Sequence, residues 1–492
     1  MELTHRPAVE QLAAMARGEV SSRELTAAHL ARIAAHPELN AVVAVDAEGA
    51  LAAADAADAR RAAGGSGGSG GSRTASGSGE APLLGLPVTV KDALETAGLR
   101  TTCGAPDLAE HLPAEDADAV ARLRAAGAVV LGKTNTPPMC ADVQTGNPLF
   151  GTTPNPHDPA RAAGGSSGGP AAAVAAHLSP LDLASDLAGS LRLPAHYCGV
   201  FGLRPSHGLV PTRGHIPRPP GWLTSSDMLT LGPLARDAAD LALALDALAG
   251  PSPREGTGWR LELPAPRHAR LADHRVGVWA DDPYCRVDAA TRALLDAVAE
   301  ALHEAGARVD AAARPVELAE SDRLFQLLMF ATSTAAAQPE AYAGEVAAAQ
   351  ALAADDDSPG ARYLRARTLR HRDWLLADEE RARLRQRWAA YFDTVDVLVT
   401  PAAPTAAPPD LTGVPLPERH LSVDGERRGY WEQTTWLNLA GLAGLPAATV
   451  PLGRTADGLP LSVHLIGPRL ADRTVLHVAA LLSEALPDGT RG

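Results

Sequence analysis

Lysine is almost absent from this 492-residue chain. Of its 44 lysine and arginine residues, only Lys91 and Lys133 are lysine. A composition that replaces lysine by arginine wherever either will serve leaves lysine where arginine fails. Arginine cannot lose its proton in a protein, whereas a desolvated lysine can become a neutral base. We therefore expect at least one of the two lysines to take part in chemistry.

Cysteine is also scarce, with four residues, no CxxC pair and none of the density of a disulfide-stabilised secreted domain. We interpret the four as reduced thiols of a cytoplasmic protein. No basic and apolar leader opens the sequence, so we expect no signal peptide. The most apolar late stretch, 437–452, is interrupted by Pro446 and Pro451 and is too short to cross a bilayer. We therefore expect no membrane partner.

Positive charge is in the minority, because 44 basic residues face 58 acidic ones and give a formal net charge of −14. Such a chain repels phosphate backbones unless it carries a local basic patch, and none stands out. The 16 histidines form no H-E-x-x-H motif and no Cys/His cluster, so we expect no metal ion. The glycines before Pro170 lack the lysine of a phosphate-binding loop. We expect no nucleic-acid partner and no cofactor.

Strand-like and helix-like segments alternate along most of the chain. The clearest are a strand at 87–90, a helix at 116–126, a strand at 128–131, a strand at 275–279, a helix at 288–305 and a strand at 395–399. This alternation predicts an α/β fold with a central sheet, mixed and largely parallel, covered by helices on both faces.

No second linker or repeat divides the chain, so we predict a single large domain over residues 1–492. Residues 1–63 form its N-terminal helical segment, in which Ser21 and Glu24 predict a capping box. Residues 64–79 are almost entirely glycine and serine and predict a flexible insertion.

The segment Gly164–Gly169 presents two hydroxyls, Ser166 and Ser167, among four glycines. A helix is predicted directly after it, so the loop lies where backbone N–H groups point outward. The same segment contains G-x-S-x-G, the nucleophile elbow of α/β-hydrolases, with Ser167 as nucleophile. That elbow needs a hydrophobic strand just before it, which residues 155–163 do not offer. An α/β-hydrolase-type esterase is therefore only an alternative.

Small residues also crowd the N-terminal side of Ser190, within Ser185–Pro194. Such residues let backbone amides converge on one point, as in an oxyanion hole that stabilises a tetrahedral intermediate. A serine after glycine is equally typical of a helix N-cap. From this segment alone, both interpretations stay open.

Taken together, these segments resemble the amidase-signature family, whose members are Ser–cis-Ser–Lys amidases. The resemblance runs in family order from about residue 8 to about residue 480. The segments that carry it are 88–92 (VTVKD), 132–135 (GKTN), 164–169 (GGSSGG), 186–194 (DLAGSLRLP), 198–205 (CGVFGLRP), 400–401 (TP), 444–447 (GLPA), 458–460 (GLP) and 465–468 (LIGP).

The resemblance implies the amidase-signature fold and a catalytic triad. By position, Lys91 matches the base, Ser166 the serine on a cis peptide that relays the proton, and Ser190 the nucleophile. Lys133 matches a lysine usually regarded as structural. The backbone amides of the oxyanion hole match Leu187, Ala188, Gly189 and Ser190. The residues that brace the site match Ser167, Asp186 and Arg192. Many members have glycine where Ala188 stands.

The function implied is an amidase that hydrolyses a small-molecule carboxamide to the acid and ammonia or an amine, through an acyl-enzyme on Ser190. The hypothetical pocket residues are Met139, Cys140, Asp142, Gln144 and Trp436, with the helix around 325–330. Their apolar character favours an aryl or alkyl amide. The alternative is the amidase component of a tRNA-dependent amidotransferase. The charge of −14 disfavours it, as does Leu193, where that component commonly has glutamine. A homodimer is a further hypothesis.

Overall fold

The computed structural model describes residues 2–64, 81–252, 255–312 and 314–486. Its strands are β1 Val42–Val45, β2 Pro87–Lys91, β3 Val129–Thr134, β4 Gly146–Asn147, β5 Gly151–Thr152, β6 Leu181–Asp186, β7 Phe201–Arg204, β8 Thr230–Ala235, β9 Arg275–Val278, β10 Arg308–Asp310, β11 Val397–Pro401, β12 His420–Val423, β13 Glu426–Gly429, β14 Ala447–Arg454 and β15 Pro460–Ile466. Its α-helices are α1 Ala8–Ala16, α2 Ser22–Ala35, α3 Ala47–Gly64, α4 Asp118–Ala125, α5 Gly168–Ala175, α6 Arg192–Cys198, α7 Ala238–Leu248, α8 Ala289–Glu304, α9 Leu318–Ser333, α10 Pro339–Gln350, α11 Pro359–Arg367, α12 His371–Phe392, α13 Thr435–Ala443 and α14 Asp472–Ala485.

Eleven of the strands form one mixed sheet in the order β1-β3-β2-β6-β8-β7-β14-β15-β11-β9-β10. The predicted α/β class, single large domain and mixed sheet are confirmed. The expectation of a largely parallel sheet is wrong, because only the pairings β2/β3, β2/β6, β9/β10 and β9/β11 are parallel. Antiparallel neighbours need only a tight turn between them. The β14–β15 hairpin, which turns at Gly458 with φ +86°, is such a case.

Two large apolar clusters cover the two faces of the sheet. The first packs α4, α7, α8 and α14 against one face, and the second packs α9, α12 and α13 against the other. Strand β11 shows the division, because Val397 and Val399 point into the first cluster while Leu398, between them, points into the second. Alternate side chains of a strand face opposite sides, so a strand that is buried on both sides is largely apolar.

The N-terminal helical segment begins as predicted. Ser21 caps α2: the Glu24 amide donates to Ser21 Oγ at 3.1 Å, and the Ser21 amide donates to the Glu24 carboxylate at 2.9 Å. The predicted insertion at 64–79 lies outside the described residues except for Gly64, the last residue of α3.

Strands β2 and β6 position the site. They are adjacent and parallel, so their carboxyl ends reach the same edge of the sheet. Strand β2 ends at Lys91 and β6 ends at Asp186. In α/β sheets, ligands bind outside the carboxyl ends of parallel strands. The two ends therefore bring together the first lysine and the serine-containing turn that follows β6.

Candidate active site

Lys91 is fully buried at the end of β2. Its side-chain nitrogen Nζ lies 2.6 Å from Ser166 Oγ, 3.0 Å from Ser167 Oγ and 3.1 Å from Ser185 Oγ. Within the described part of the chain, no carboxylate forms an ion pair with Lys91. The amine is thus surrounded by hydroxyls that can both donate and accept a proton.

The Gly164–Gly169 loop presents Ser166 to this amine. The Gly165–Ser166 peptide bond is cis. A Cβ on Gly165 would lie 2.5 Å from the Gln144 amide nitrogen, and one on Gly169 would collide with the backbone of Asn135. Backbone packs directly against both positions, so no side chain fits there. Glycine at these positions lets the loop press against its neighbours and hold Ser166 in place.

Ser190 lies on the turn between β6 and α6 and is partly exposed. Helix α6 begins at Arg192 without a side-chain cap, so Ser190 is not its N-cap. The Ser167 amide donates to the Ser190 carbonyl oxygen at 3.0 Å, which joins this turn to the glycine-rich loop. In the described residues, Ser190 Oγ forms no hydrogen bond. The structure therefore places Lys91 and Ser166 in direct contact and Ser190 on the adjoining turn.

The backbone amides of this turn divide into two sets. The Gly189 amide donates to the Asp186 carboxylate at 3.1 Å, as does the Leu191 amide at 3.3 Å. By contrast, the amides of Leu187, Ala188 and Ser190 donate to no acceptor among the residues that the structure describes. Three of the four amides predicted for the oxyanion hole are thus available to a ligand. The fourth, that of Gly189, holds the turn instead.

A buried ion cluster lies behind the turn. Arg192 Nη2 is 2.8 Å and Arg204 Nη1 is 3.1 Å from the Asp186 carboxylate, and all three side chains are inaccessible to solvent. Burial alone would raise the pKa of Asp186, but the two guanidinium groups hold it well below its usual range. Burial lowers the pKa of Arg204 to about 10. Asp186 and Arg192 thus brace the turn, and Arg204, which sequence reasoning missed, joins them.

Arg192 extends this cluster to His464 on β15. Arg192 Nη1 donates to His464 Nε2 at 3.0 Å, and His464 Nδ1 lies 3.1 Å from Thr400 Oγ1. Burial is the main reason that the pKa of His464 lies well below its usual range, and the charge of Arg192 lowers it further. The imidazole is therefore a neutral acceptor. It links α6 to the C-terminal half of the sheet.

Sequence reasoning also missed Ser185, which contacts Lys91. Its position on β6, directly before Asp186, was the available signal. Neighbouring residues of a strand face opposite sides. Ser185 therefore points to Lys91 on one face while Asp186 points to the arginines on the other.

The second lysine, Lys133, is fully buried on β3. Its Nζ donates to the Leu94 carbonyl oxygen at 2.5 Å and to the hydroxyls of Thr101 and Thr96 at 2.9 Å and 3.0 Å. Asp92 Oδ1 lies 4.0 Å away. Burial, opposed by Asp92, lowers the pKa of Lys133 to about 8. All its contacts hold the segment after β2 in place.

The five hypothetical pocket residues differ in exposure. Met139, Cys140 and Asp142 are partly exposed, whereas Gln144 and Trp436 are buried. The Gln144 side chain accepts from the Leu411 amide at 2.7 Å, and the Trp436 indole donates to the Cys285 carbonyl oxygen at 3.0 Å. Asp142 accepts from Tyr430 Oη at 2.7 Å. The polar groups of Asp142, Gln144 and Trp436 therefore form hydrogen bonds within the protein.

The apolar side of the turn is built from the second core cluster. Leu187 and Ala188 are partly exposed and pack against this cluster, which includes Phe325 and Trp436. An acyl group attached to Ser190 would therefore lie beside hydrocarbon on this side.

The nucleophile-elbow alternative lacks its structural context. No strand precedes the loop at 155–163. Ser167 Oγ contacts Lys91 and donates to the Ser185 carbonyl oxygen at 3.3 Å, and no histidine bonds to it among the described residues. The base-and-histidine arrangement of that mechanism is not present around Ser167.

The described residues contain neither a cluster of side chains that could bind a metal ion nor a helix that could span a membrane. These residues contain no group of three or more histidine, cysteine, aspartate or glutamate side chains that could hold a metal ion. None of their helices combines the length and the apolar character that crossing a bilayer requires.

Comparison with known proteins gives concordant matches along the chain. The family model described as Amidase matches residues 24–476. The A subunit of glutamyl-tRNA(Gln) amidotransferase from Thermosynechococcus vestitus is 34% identical over 501 residues, which cover 96% of each protein. A chain in a structure described as an unexpected vestigial protein complex that reveals the evolutionary origins of an s-triazine catabolic enzyme is 30% identical, with a TM-score of 0.79 over 99% of each chain. The 6-aminohexanoate cyclic dimer hydrolase is 28% identical, with a TM-score of 0.77 over 99% of this chain and 98% of that one.

Proposed function

Because this chain belongs to the amidase family and is an enzyme that acts on carbon–nitrogen amide bonds, we propose that it cleaves its amide through an acyl-enzyme on Ser190. Ser166 relays the proton and Lys91 is the base. The observation that carries this proposal is the buried 2.6 Å contact between Lys91 Nζ and Ser166 Oγ. Hydroxyl partners can pass protons to and from an amine, and among the described residues no carboxylate lies within ion-pair distance of Lys91.

The reaction begins with Lys91 neutral. Lys91 takes the proton of Ser166 as Ser166 takes that of Ser190, whose oxygen attacks the carbonyl carbon. The proton returns through the same groups to the leaving nitrogen, and water then releases the acid from Ser190. Ser190 Oγ must turn toward Ser166 when substrate binds. Catalytic hydrogen bonds commonly tighten only in the substrate complex.

The tetrahedral intermediate needs donors for its oxyanion. The amides of Leu187, Ala188 and Ser190 supply them in this proposal. They are preorganised because the Gly189 and Leu191 amides are anchored to Asp186. Loss of a single oxyanion-hole donor typically costs about 10²–10³-fold in kcat. Asp186 and its arginines therefore act by positioning the turn.

A covalent label tests the nucleophile. A fluorophosphonate should modify the peptide that contains Ser190 and should leave Ser190→Ala unmodified. Ser167→Ala is the matched control, since it removes a neighbouring hydroxyl but keeps the proposed nucleophile. Label on Ser167, with activity abolished by replacement of one histidine, would instead support the hydrolase elbow.

The substrate we propose is a small, largely apolar carboxamide. Support comes from Leu187 and Ala188, whose side chains continue the apolar cluster around Phe325 and Trp436. A panel of aromatic, aliphatic and amino-acid amides, followed by ammonia or amine release, tests this. Faster turnover of charged amides than of apolar amides would refute it.

A second candidate has specific support. Several curated relatives are amidotransferase A subunits, for example the Acidothermus cellulolyticus protein at 34% identity over 99% of this chain. They favour that function over a stand-alone hydrolase. Leu193 does not count strongly against this candidate, because it is buried in the apolar cluster that also contains Val143, Tyr197 and Leu437. Its identity is a matter of packing within α6. The chain would then work with partner subunits and transfer the released nitrogen.

Activity with and without partners separates the two candidates. A stand-alone hydrolase should turn over neutral amides at a rate that is independent of added protein. An amidotransferase component should release ammonia from glutamine faster when the other subunits of a bacterial glutamyl-tRNA amidotransferase are added. A rate on glutamine that those subunits leave unchanged, with high turnover of neutral amides, excludes the second candidate.

A further inference from the structure

Two of the four cysteines meet beside the candidate active site. Cys103 Sγ and Cys140 Sγ are 3.6 Å apart, although 37 positions separate them in the chain. Cys103 is buried and Cys140 is partly exposed. The other two, Cys198 and Cys285, are buried and donate to backbone carbonyl oxygens. Only one thiol pair in the described residues is therefore placed for a joint reaction, and one of its members belongs to a partly exposed residue.

The backbone holds the two thiols together. The Met139 amide donates to the Cys103 carbonyl oxygen at 2.9 Å. Cys103, Met139 and Cys140 all adopt positive φ, at +48°, +52° and +55°. Residues with side chains rarely adopt that conformation unless their surroundings impose it, and such residues concentrate at functional sites. Because a disulfide has an S–S length of about 2.05 Å, its formation needs the sulfurs to approach by about 1.5 Å.

The two thiols differ in reactivity. Donation from the Cys103 thiol, with help from His215, holds the pKa of Cys140 well below its usual range. Burial raises the pKa of the Cys103 thiol, and its hydrogen bond to Cys140 raises it further. The thiolate is the reactive form of cysteine. Cys140, which is also the more exposed residue of the pair, is thus the thiol that attacks, and Cys103 is the thiol that resolves.

The pair is mechanically connected to both halves of the proposed proton relay. The Cys103 amide donates to the carbonyl oxygen of Asp92, the residue after Lys91, at 2.7 Å. On the other side, Cys140 opens the segment 140–144, whose backbone packs against Gly165. A backbone shift at either cysteine would therefore reach a segment that positions Lys91 or Ser166.

We propose that Cys103 and Cys140 form a redox-active dithiol that reacts with hydroperoxides and, when closed to a disulfide, suppresses amide cleavage. The suppression rests on the proposed function, whereas the thiol chemistry does not. The Cys140 thiolate attacks one peroxide oxygen, the O–O bond breaks, and the leaving oxygen takes a proton. The sulfur of Cys103 then attacks the sulfenic acid of Cys140, which releases water with the Cys103 proton. Two thiols lose two electrons, and the hydroperoxide is reduced.

Thiol titration and peptide mapping test the chemistry on the full chain. After treatment with hydrogen peroxide and denaturation, we expect two of the four thiols to remain. A linked pair of peptides containing Cys103 and Cys140 should be two hydrogens lighter than the separate peptides. In Cys103→Ser, a sulfenic acid should instead be trapped on Cys140 by dimedone. Cys198→Ser is the matched control, because it should still form the linked pair.

Activity tests the consequence. For each protein, the rate of amide cleavage is compared before and after peroxide treatment. In the wild type, peroxide should lower this rate by more than about tenfold, and dithiothreitol should restore it. Four titratable thiols after peroxide, or a linkage that involves Cys198 or Cys285, would overturn the dithiol. A complete disulfide with an unchanged rate would overturn the regulatory effect. An enzyme that is inactive on every amide when reduced would refute the proposed function, while the thiol count still decides the chemistry.

Discussion

Replacement of Lys91 by arginine is the sharpest test of the proton relay. Lys91→Arg keeps the positive charge, most of the side-chain length and the ability to donate to Ser166, Ser167 and Ser185. A structural or purely electrostatic role would therefore survive in part. A base must pass through a neutral form, which arginine, with a pKa above about 12, does not reach. Lys91→Arg therefore separates hydrogen-bond donation from proton transfer at a single position.

The expected magnitude follows from the step that is removed. General acid–base catalysis contributes about 10²–10⁴-fold, which corresponds to about 2.7–5.4 kcal/mol of transition-state stabilisation. We expect Lys91→Arg to lose this factor in kcat/KM and to fall close to Lys91→Ala. Because Lys91 is fully buried among three hydroxyls at 2.6–3.1 Å, the larger guanidinium also strains the packing. A second readout is therefore needed.

Chemical rescue supplies that readout. In Lys91→Ala the lost side chain leaves a cavity next to Ser166 that a small primary amine can enter. Added amines should restore part of the rate, and the restored rate should rise with their basicity. The matched control is Lys133→Arg, since Lys133 is equally buried but bonds only to the segment after β2. Its activity should persist, and any loss should follow its thermal stability.

One outcome refutes the relay. If folded Lys91→Arg keeps a kcat/KM near that of the wild type, Lys91 is not the base. Absence of amine rescue, with a folded Lys91→Ala, would point the same way. The base would then have to be another group near Ser166.

Three further changes have definite expected outcomes. Gly189→Ala should lose activity by at least about 10²-fold, the usual cost of misplacing one oxyanion donor. Gly189 has φ +89° and its Cβ would lie 2.6 Å from Leu437 Cδ1, so alanine should shift the turn and with it the neighbouring donor amides; a wild-type kcat would contradict this. Asp186→Asn should lower the free energy of unfolding in urea by about 3–5 kcal/mol, since it leaves two buried arginines uncompensated, whereas Asp273→Asn at an exposed ion pair should leave it almost unchanged, because solvent screens that pair. Burial lowers the pKa of His196 from 6.5 to about 4, so the stability it contributes is present above pH 6.5 and is lost as pH falls toward 4. His196→Gln should therefore reduce the pH slope of the free energy of unfolding in that range by about 1.4 kcal/mol per unit, and an unchanged slope would disprove it.

Composition and local pattern predicted part of this molecule well. The capping box of Ser21 and Glu24 is a contact within one helical turn, so its residues are close in sequence. The α/β class follows from alternating periodicity, and the family from the order of its motifs. The count of lysines identified two buried positions. These features depend on short-range physics or on motif order along the whole chain.

The pairing of distant segments was not predictable in the same way. Ser185 contacts Lys91 only because β6 lies beside β2 in the sheet. No local sequence pattern predicts which strand is the neighbour of β2. Arg204 reaches Asp186 only because the sheet brings β7 close to the end of β6. The two cysteines meet through loops with positive φ, for which the sequence offers no periodicity. The sheet was expected to be largely parallel because strand-like and helix-like segments alternate along the chain, and hairpins such as β14–β15, which lies between prolines, add little to that pattern.

The mixed sheet has a consequence for the electrostatics of the proposed reaction. Its parallel part delivers Lys91 and Asp186 to one edge, and its antiparallel part delivers Arg204 and His464 behind the same turn. Two buried guanidinium groups face a single carboxylate there, and the low pKa of His464 keeps that imidazole neutral. The cluster thus retains one positive charge directly behind the amides of residues 187–190. In a low-dielectric interior this charge favours an oxyanion on the far side of the turn, where the transition state develops one. Because Arg204 and His464 both come from antiparallel strands, the mixed topology itself contributes to the proposed stabilisation of the transition state.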